Sequence, residues 1–310
     1  MKGSSAMETV GVIGLGKIGT PMAENLLKSG FKVIGFRRSP TPELEKLGMI
    51  RAVSPAEVGR QCDVVLSCLP NLAALDETMS GPNGLLKSAR AGQIIAELGS
   101  YKVKDKQRQV ALFEAKGAKF LDGEVSGTPG MVTARKAAVY LAGDEVAARA
   151  LEPVVKGFAD NWFYLGQFGA ATRVKLINNL LVAVHIAATA EAMSIGMQAG
   201  VDVPTMIKAI SGGSGGSSAF GARAQAMADR RFMPPMGTSE ALEHYLGEAR
   251  ELAAELGRAT PMLDRAAELY AKAREQGLEK QDVAVMVQVL ESLPREASQK
   301  KGGFGFFKRS

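Results

Sequence analysis

Short apolar runs alternate with amphipathic stretches through the first half of the chain. Runs at 10–13, 32–36, 64–68, 93–98, 119–121, 138–142 and 162–165 predict strands, and the patterns at 21–28, 42–47, 55–60 and 104–116 predict helices between the early ones. Such alternation implies βαβ units and a mostly parallel sheet covered on both faces. The period changes near Gly169. From Ala170 to Ala199 the only Gly or Pro is Gly196, and Ala, Leu, Val and Ile dominate. That predicts one helix of roughly 30 residues, about 45 Å long. Everything beyond reads as helix: 203–210, 219–229, 239–256, 261–276 and 282–290. The pattern therefore predicts an α/β domain over 1–168, an all-helical domain over 169–295 that opens with a long interdomain helix, and a flexible basic tail over 296–310.

Composition changes this picture little. A chain of 310 residues with 46% hydrophobic and 23% charged residues is a normal globular balance for two domains. Of the net charge of +6, four charges come from Lys300, Lys301, Lys308 and Arg309 in the final eleven residues. The remaining body is nearly neutral, so no nucleic-acid partner is expected. The Gly/Phe-rich stretch 302–307 reads as a frayed end, and residues 1–6 as a leader or expression scar with Met7 a candidate start. Cys62 and Cys68 flank one expected strand, about 20 Å apart along it, too far for a disulfide. With only His185 and His244 besides, no Cys/His metal site is expected. Two reduced thiols suit a cytoplasmic location. The apolar segment 176–192 is interrupted by Asn178, Asn179, His185 and Glu191, so no membrane span is expected.

Candidate chemistry appears first at the turn after the first strand. Gly14-Leu15-Gly16-Lys17-Ile18-Gly19 fits G-x-G-x-x-G between a strand and a helix. In that frame the glycines permit a tight turn, close approach of a pyrophosphate and close strand–helix packing, and the helix N-terminus offers unpaired N–H groups to phosphate. The second strand ends in Arg37-Arg38-Ser39, where an NAD enzyme would carry an acid for the ribose hydroxyls. Two guanidinium groups and a hydroxyl instead match a 2′-phosphate, which selects NADP(H); the alternative is a pair of solvated surface arginines. The long helix opens with Lys175, Asn178, Asn179 and Val182 on one face. An ammonium and two amides in otherwise apolar sequence point to a site, although a snorkelling lysine and loop-bound asparagines would give the same pattern.

Three stretches together resemble the β-hydroxyacid dehydrogenase family, the group of 3-hydroxyisobutyrate dehydrogenase and the glyoxylate, succinic semialdehyde and tartronate semialdehyde reductases: 11–30, Asp122–Gly130 (DGEVSGTPG) and 169–179. The resemblance extends from about Val10 to Leu290. It implies a Rossmann-type doubly wound domain followed by a helical domain like that of 6-phosphogluconate dehydrogenase. It further implies Lys175 as general acid/base with Asn179, and Asn178 beside it, orienting the substrate. Ser126 and Gly127, with Thr128 adjoining, would hold the substrate carboxylate; Leu69, Pro70 and Ser100 would line the nicotinamide. His244 stands where the family commonly has a lysine near the cofactor. Thr128-Pro129, Arg135 and Tyr245 depart from the usual pattern and imply a reshaped pocket.

The expected function is NADP-dependent hydride transfer between a small β-hydroxyacid and its semialdehyde or keto acid, by a homodimer or homotetramer. Two other readings stand beside it. Imine reductases share the architecture but generally carry Asp or Tyr in place of Lys175. A non-catalytic NADP-binding module would have no use for Lys175 and both asparagines.

Overall fold

A computed structural model describes residues 9–293. The leader and candidate start at 1–7 and the expected basic tail at 296–310 lie outside the described residues.

Eight strands form one sheet: β1 (Thr9–Ile13), β2 (Lys32–Phe36), β3 (Ile50–Arg51), β4 (Val64–Ser67), β5 (Ile94–Glu97), β6 (Lys119–Ser126), β7 (Ala138–Ala142) and β8 (Asn161–Tyr164). Their order is β3-β2-β1-β4-β5-β6-β7-β8. All neighbours are parallel except β6 and β7. The reversal of order around β1 is the doubly wound arrangement. Alternate side chains of each central strand enter different cores. Val10, Val12, Val33, Val64, Leu66 and Ala96 pack on one face; Ile13, Ile34, Val65 and Ile95 pack on the other. Burial on both faces is why these strands read as unbroken apolar runs.

The expected strand at 119–121 continues to Ser126. Antiparallel pairing with β7, from Asp122 opposite Ala142 to Ser126 opposite Ala138, takes up the backbone groups of this polar stretch. The extension sets Asp122, Glu124 and Ser126 on the same side of the strand, because side chains alternate. The helix Leu72–Ser80, which the apolar pattern did not signal, starts at Asn71, whose Oδ1 accepts the Ala74 N–H at 2.9 Å.

The described residues fall into two compact units, 9–181 with 244–260 and 182–243 with 261–293. The first holds the sheet. It also takes in the opening turns of the helix Ala170–Gln198 and much of Ser239–Glu255. The second unit is helical, with Val203–Gly212, Ser218–Ala228, Pro261–Glu275 and Met286–Glu291. There the Asp282 carboxylate accepts the Met236 and Gly237 N–H groups at 2.8 and 3.3 Å and faces Arg223 Nε at 3.0 Å. Tyr270 Oη donates to the Ala183 carbonyl at 3.3 Å. The Gly/Ser cluster at 211–218 is a connection between two helices, with Ser217 capping the second. Ala170–Gln198 is long and apolar enough to cross a membrane by length and composition. Its first turns carry buried Thr172, Lys175 and Asn179.

Candidate active site

Gly14 lies at the end of β1 with φ +92°, a region that favours glycine. A Cβ there would overlap the Cys68 carbonyl, and one at Gly19 would overlap the carbonyl of Gly14. Both positions are closed by backbone. Gly16 differs: a Cβ would meet nothing within 4 Å, so open space lies over the middle of the turn. Two glycines pack strand against helix and one faces a cradle, the division of labour a pyrophosphate requires. Leu15 is buried in the core, while Lys17 is exposed and Ile18 partly so, just before the helix Gly19–Lys28. Leu69 packs within 3.2 Å of the Gly14 Cβ position and gives its carbonyl to Tyr101 Oη at 2.7 Å; Pro70 follows it, exposed. Arg37, Arg38 and Ser39 stand exposed directly after β2. Among the described residues, no carboxylate engages either guanidinium. These residues fit a nicotinamide dinucleotide.

The second half of the site is a ladder between β6 and the opening of the helix Ala170–Gln198. Thr172 donates to Asp122 through its N–H at 3.0 Å and its hydroxyl at 2.7 Å, which satisfies part of the helix N-terminus from the strand. Three residues on, Lys175 Nζ donates to the Val125 carbonyl at 3.0 Å. Three further on, Asn178 Nδ2 donates to Ser126 Oγ at 3.3 Å and to Asn179 Oδ1 at 3.3 Å. Successive polar residues three apart on the helix thus meet Asp122, Val125 and Ser126 of the strand. Asn179 is buried, and its Nδ2 has no partner among the described residues. An unpaired buried donor costs stability, and a ligand acceptor would satisfy this one. Burial pushes the Lys175 ammonium below the usual lysine range, and Glu124 and Cys68 oppose that shift.

Lys106 and Glu97, which the sequence did not single out, complete the surroundings. Lys106 is fully buried among Asp122 at 3.0 Å, Glu124 at 3.3 Å and Glu97 at 3.5 Å. Burial lowers its pKa, yet the three carboxylates outweigh that and hold it raised. Ser100 donates to Glu124 Oε2 at 2.7 Å and is hydrogen-bonded to Tyr245. Its hydroxyl is thus tied to the protein beside the expected nicotinamide site. The only signals in the sequence were acids inside a strand, Asp122 and Glu124, and a lysine in the apolar phase of the helix Val103–Glu114.

The remaining expected residues are placed as follows. Thr128 caps the helix Pro129–Thr133 by accepting the Met131 N–H at 3.3 Å. A Cβ on Gly127 would press on Ala137, so strand and loop approach closely there. His244 is exposed, with Nε2 at 3.5 Å from Glu248. Arg135 turns to the opposite neighbours of its loop. Its guanidinium is committed to Asp160 at 3.0 Å and to the carbonyls of Lys156 and Gly157. Cys62 and Cys68 are free, as expected. Among the described residues no cluster could hold a metal ion.

Two family models match the chain in succession. Residues 9–166 match the NAD-binding domain of 6-phosphogluconate dehydrogenase, and residues 169–290 match the "NAD-binding of NADP-dependent 3-hydroxyisobutyrate dehydrogenase" family. The chain is 28% identical to 2-(hydroxymethyl)glutarate dehydrogenase of Eubacterium barkeri, over 92% of this chain and 95% of that one. It is 32% identical to L-threonate dehydrogenase of Cupriavidus necator, over 68% and 72%. The solved Mycobacterium tuberculosis 3-hydroxyisobutyrate dehydrogenase with L-serine superposes with a TM-score of 0.81 at 27% identity, covering 92% of this chain and all of that one. The chain belongs to the β-hydroxyacid dehydrogenase family of NAD(P)-linked oxidoreductases.

Proposed function

We propose that this protein is an NADP(H)-dependent oxidoreductase that interconverts a small β-hydroxyacid and its semialdehyde or keto acid, with Lys175 moving the proton. One observation carries the proposal: a buried ammonium lies beside a buried, partnerless amide donor, on a helix laid against Ser126. Ser126, Gly127 and Thr128 would receive the substrate carboxylate, and Asn178 and Asn179 would orient the reacting carbon. The open turn at Gly16 would take the pyrophosphate. Arg37, Arg38 and Ser39 would take the 2′-phosphate, with Leu69, Pro70, Ser100 and His244 along the remaining cofactor. When bound, the nicotinamide supplies or accepts a hydride.

In reduction, negative charge grows on the carbonyl oxygen. Lys175 Nζ stabilises that charge and gives up its proton, leaving a neutral amine and an alcohol. In oxidation the amine takes the hydroxyl proton. Burial makes both states reachable, because it lowers the cost of the neutral form.

Steady-state assays of glyoxylate, succinic semialdehyde, tartronate semialdehyde and methylmalonate semialdehyde with NADPH and NADH test the proposal. Turnover of at least one, faster with NADPH, is expected. Turnover of cyclic imines alone, or cofactor binding without any turnover, would contradict it.

A further inference from the structure

Glu124 is the member of the β6 ladder that the proposed reaction leaves without a task. Asp122 and Ser126 on the same side of the strand each hold a helix residue, Thr172 and Asn178. Glu124 lies between them, and Lys175 lies between Thr172 and Asn178. The Lys175 ammonium is anchored on the carbonyl of Val125, the next residue along the strand. Alternation and anchoring thus bring the Glu124 carboxylate and the Lys175 ammonium into the same buried volume.

The carboxylate is fixed there. Oε2 accepts from Ser100 Oγ at 2.7 Å, and Oε1 faces Lys106 Nζ at 3.3 Å. Glu124 is 1% exposed, so no water shell weakens its field at Lys175. A structural role as partner of Lys106 alone would not require it: Asp122 and Glu97 already face that ammonium.

We propose that Glu124 is a positioning residue that keeps Lys175 protonated in its buried site, with Lys106 and Ser100 fixing the carboxylate that does so. The inference rests on the acid/base role proposed for Lys175. It adds that burial and Glu124 act in opposition, and that their balance sets the pH at which the amine can both give and take a proton.

The titratable groups around the pair are known. Lys106 faces it from the helix Val103–Glu114, Glu97 from β5 and Asp122 from β6. Cys68 follows β4, Tyr101 follows β5, and Tyr245 reaches in from the helix Ser239–Glu255. Burial pushes Glu124 up to about 7, against the pull of Lys106 and then Lys175. It pushes Glu97 up to about 8, again against Lys106. Cys68 is pushed up to about 12 and stays a neutral thiol.

The test is direct titration of Lys175 by NMR, following its ε-carbon in isotope-labelled protein and assigning it with Lys175→Met. In Glu124→Gln, which keeps size and one acceptor oxygen but removes the charge, the acid dissociation constant of Lys175 should rise about tenfold or more. The alkaline limb of kcat/KM for reduction should move down by the same amount. In the wild-type chain the same resonance should carry a smaller inflection where Glu124 ionises. Glu97→Gln should retain that inflection, so the wild-type signal serves even if Glu124→Gln does not fold. An unshifted titration in a folded Glu124→Gln, or no inflection in wild type, overturns the inference. The titration needs neither substrate nor turnover. A shifted titration in a protein that reduces no aldehyde acid would remove the proposed reaction and leave the pairing intact.

Discussion

At the residue scale the proposed chemistry depends on two kinds of cation in opposite settings. Arg37 and Arg38 are exposed, no carboxylate engages them among the described residues, and in the proposed reading they receive the 2′-phosphate. Arg37→Asp should therefore lower the NADPH/NADH preference by roughly ten- to hundredfold, the worth of a charge-assisted hydrogen bond; an unchanged ratio in paired kinetic assays would remove the phosphate clamp. Lys175 is buried instead, and its pKa is lowered. Reduction needs the ammonium, which is present only below that lowered pKa. The kcat/KM profile for reduction should fall on its alkaline side at a pH below the ordinary lysine range, and oxidation should rise through the same interval. A reductive profile flat up to the ordinary lysine range would contradict the desolvation of Lys175. Lys175, Asn178 and Asn179 were legible in the sequence because three polar residues on one stripe of an apolar helix are conspicuous. Glu124 and Lys106 were not. A buried charge in a strand or an amphipathic helix looks like an exposed one until its partners arrive from elsewhere, here from β5, β6 and two helices.

At the element scale, the strand–turn–helix at 9–28 and the ladder of β6 against Ala170–Gln198 make the site. The glycines of the turn divide by what surrounds them. Gly16→Ala meets no protein atom, so it should leave the melting temperature unchanged while weakening NADPH binding. Equal loss of stability and binding would mean that Gly16 serves packing alone. The turn was readable because its glycines fall between two clear elements. The length of β6 was not. Asp122-Gly123-Glu124 breaks the apolar run, and beyond Asp122, where pairing with β5 ends, the antiparallel partner β7, supplied from residues 138–142, holds the stretch as strand. The helix Leu72–Ser80 was hidden for a similar reason: its entry signal is the single Asn71 cap.

At the scale of the whole molecule, the sheet-bearing unit takes in the helix Ala170–Gln198 as far as Leu181, and residues 244–260 as well, so the change of period near Gly169 marks where the long helix begins and not where the compact units part. One observation bears on assembly. Ile177, Leu181 and Ile195 lie on one face of the helix Ala170–Gln198 and are 53%, 49% and 63% exposed. Apolar side chains recurring on one helical face are the usual sign of a partner surface. Light scattering at micromolar concentration should give a dimer or tetramer; a monomer would contradict that expectation. The most direct measurement compares wild type with Lys175→Ala by two readouts, fluorescence titration of NADPH and steady-state reduction of the best aldehyde acid. NADPH affinity should be preserved while kcat falls by about a hundredfold to ten-thousandfold, the usual worth of a positioned acid. Undiminished turnover in Lys175→Ala would contradict the role of Lys175 and, with it, the proposed mechanism.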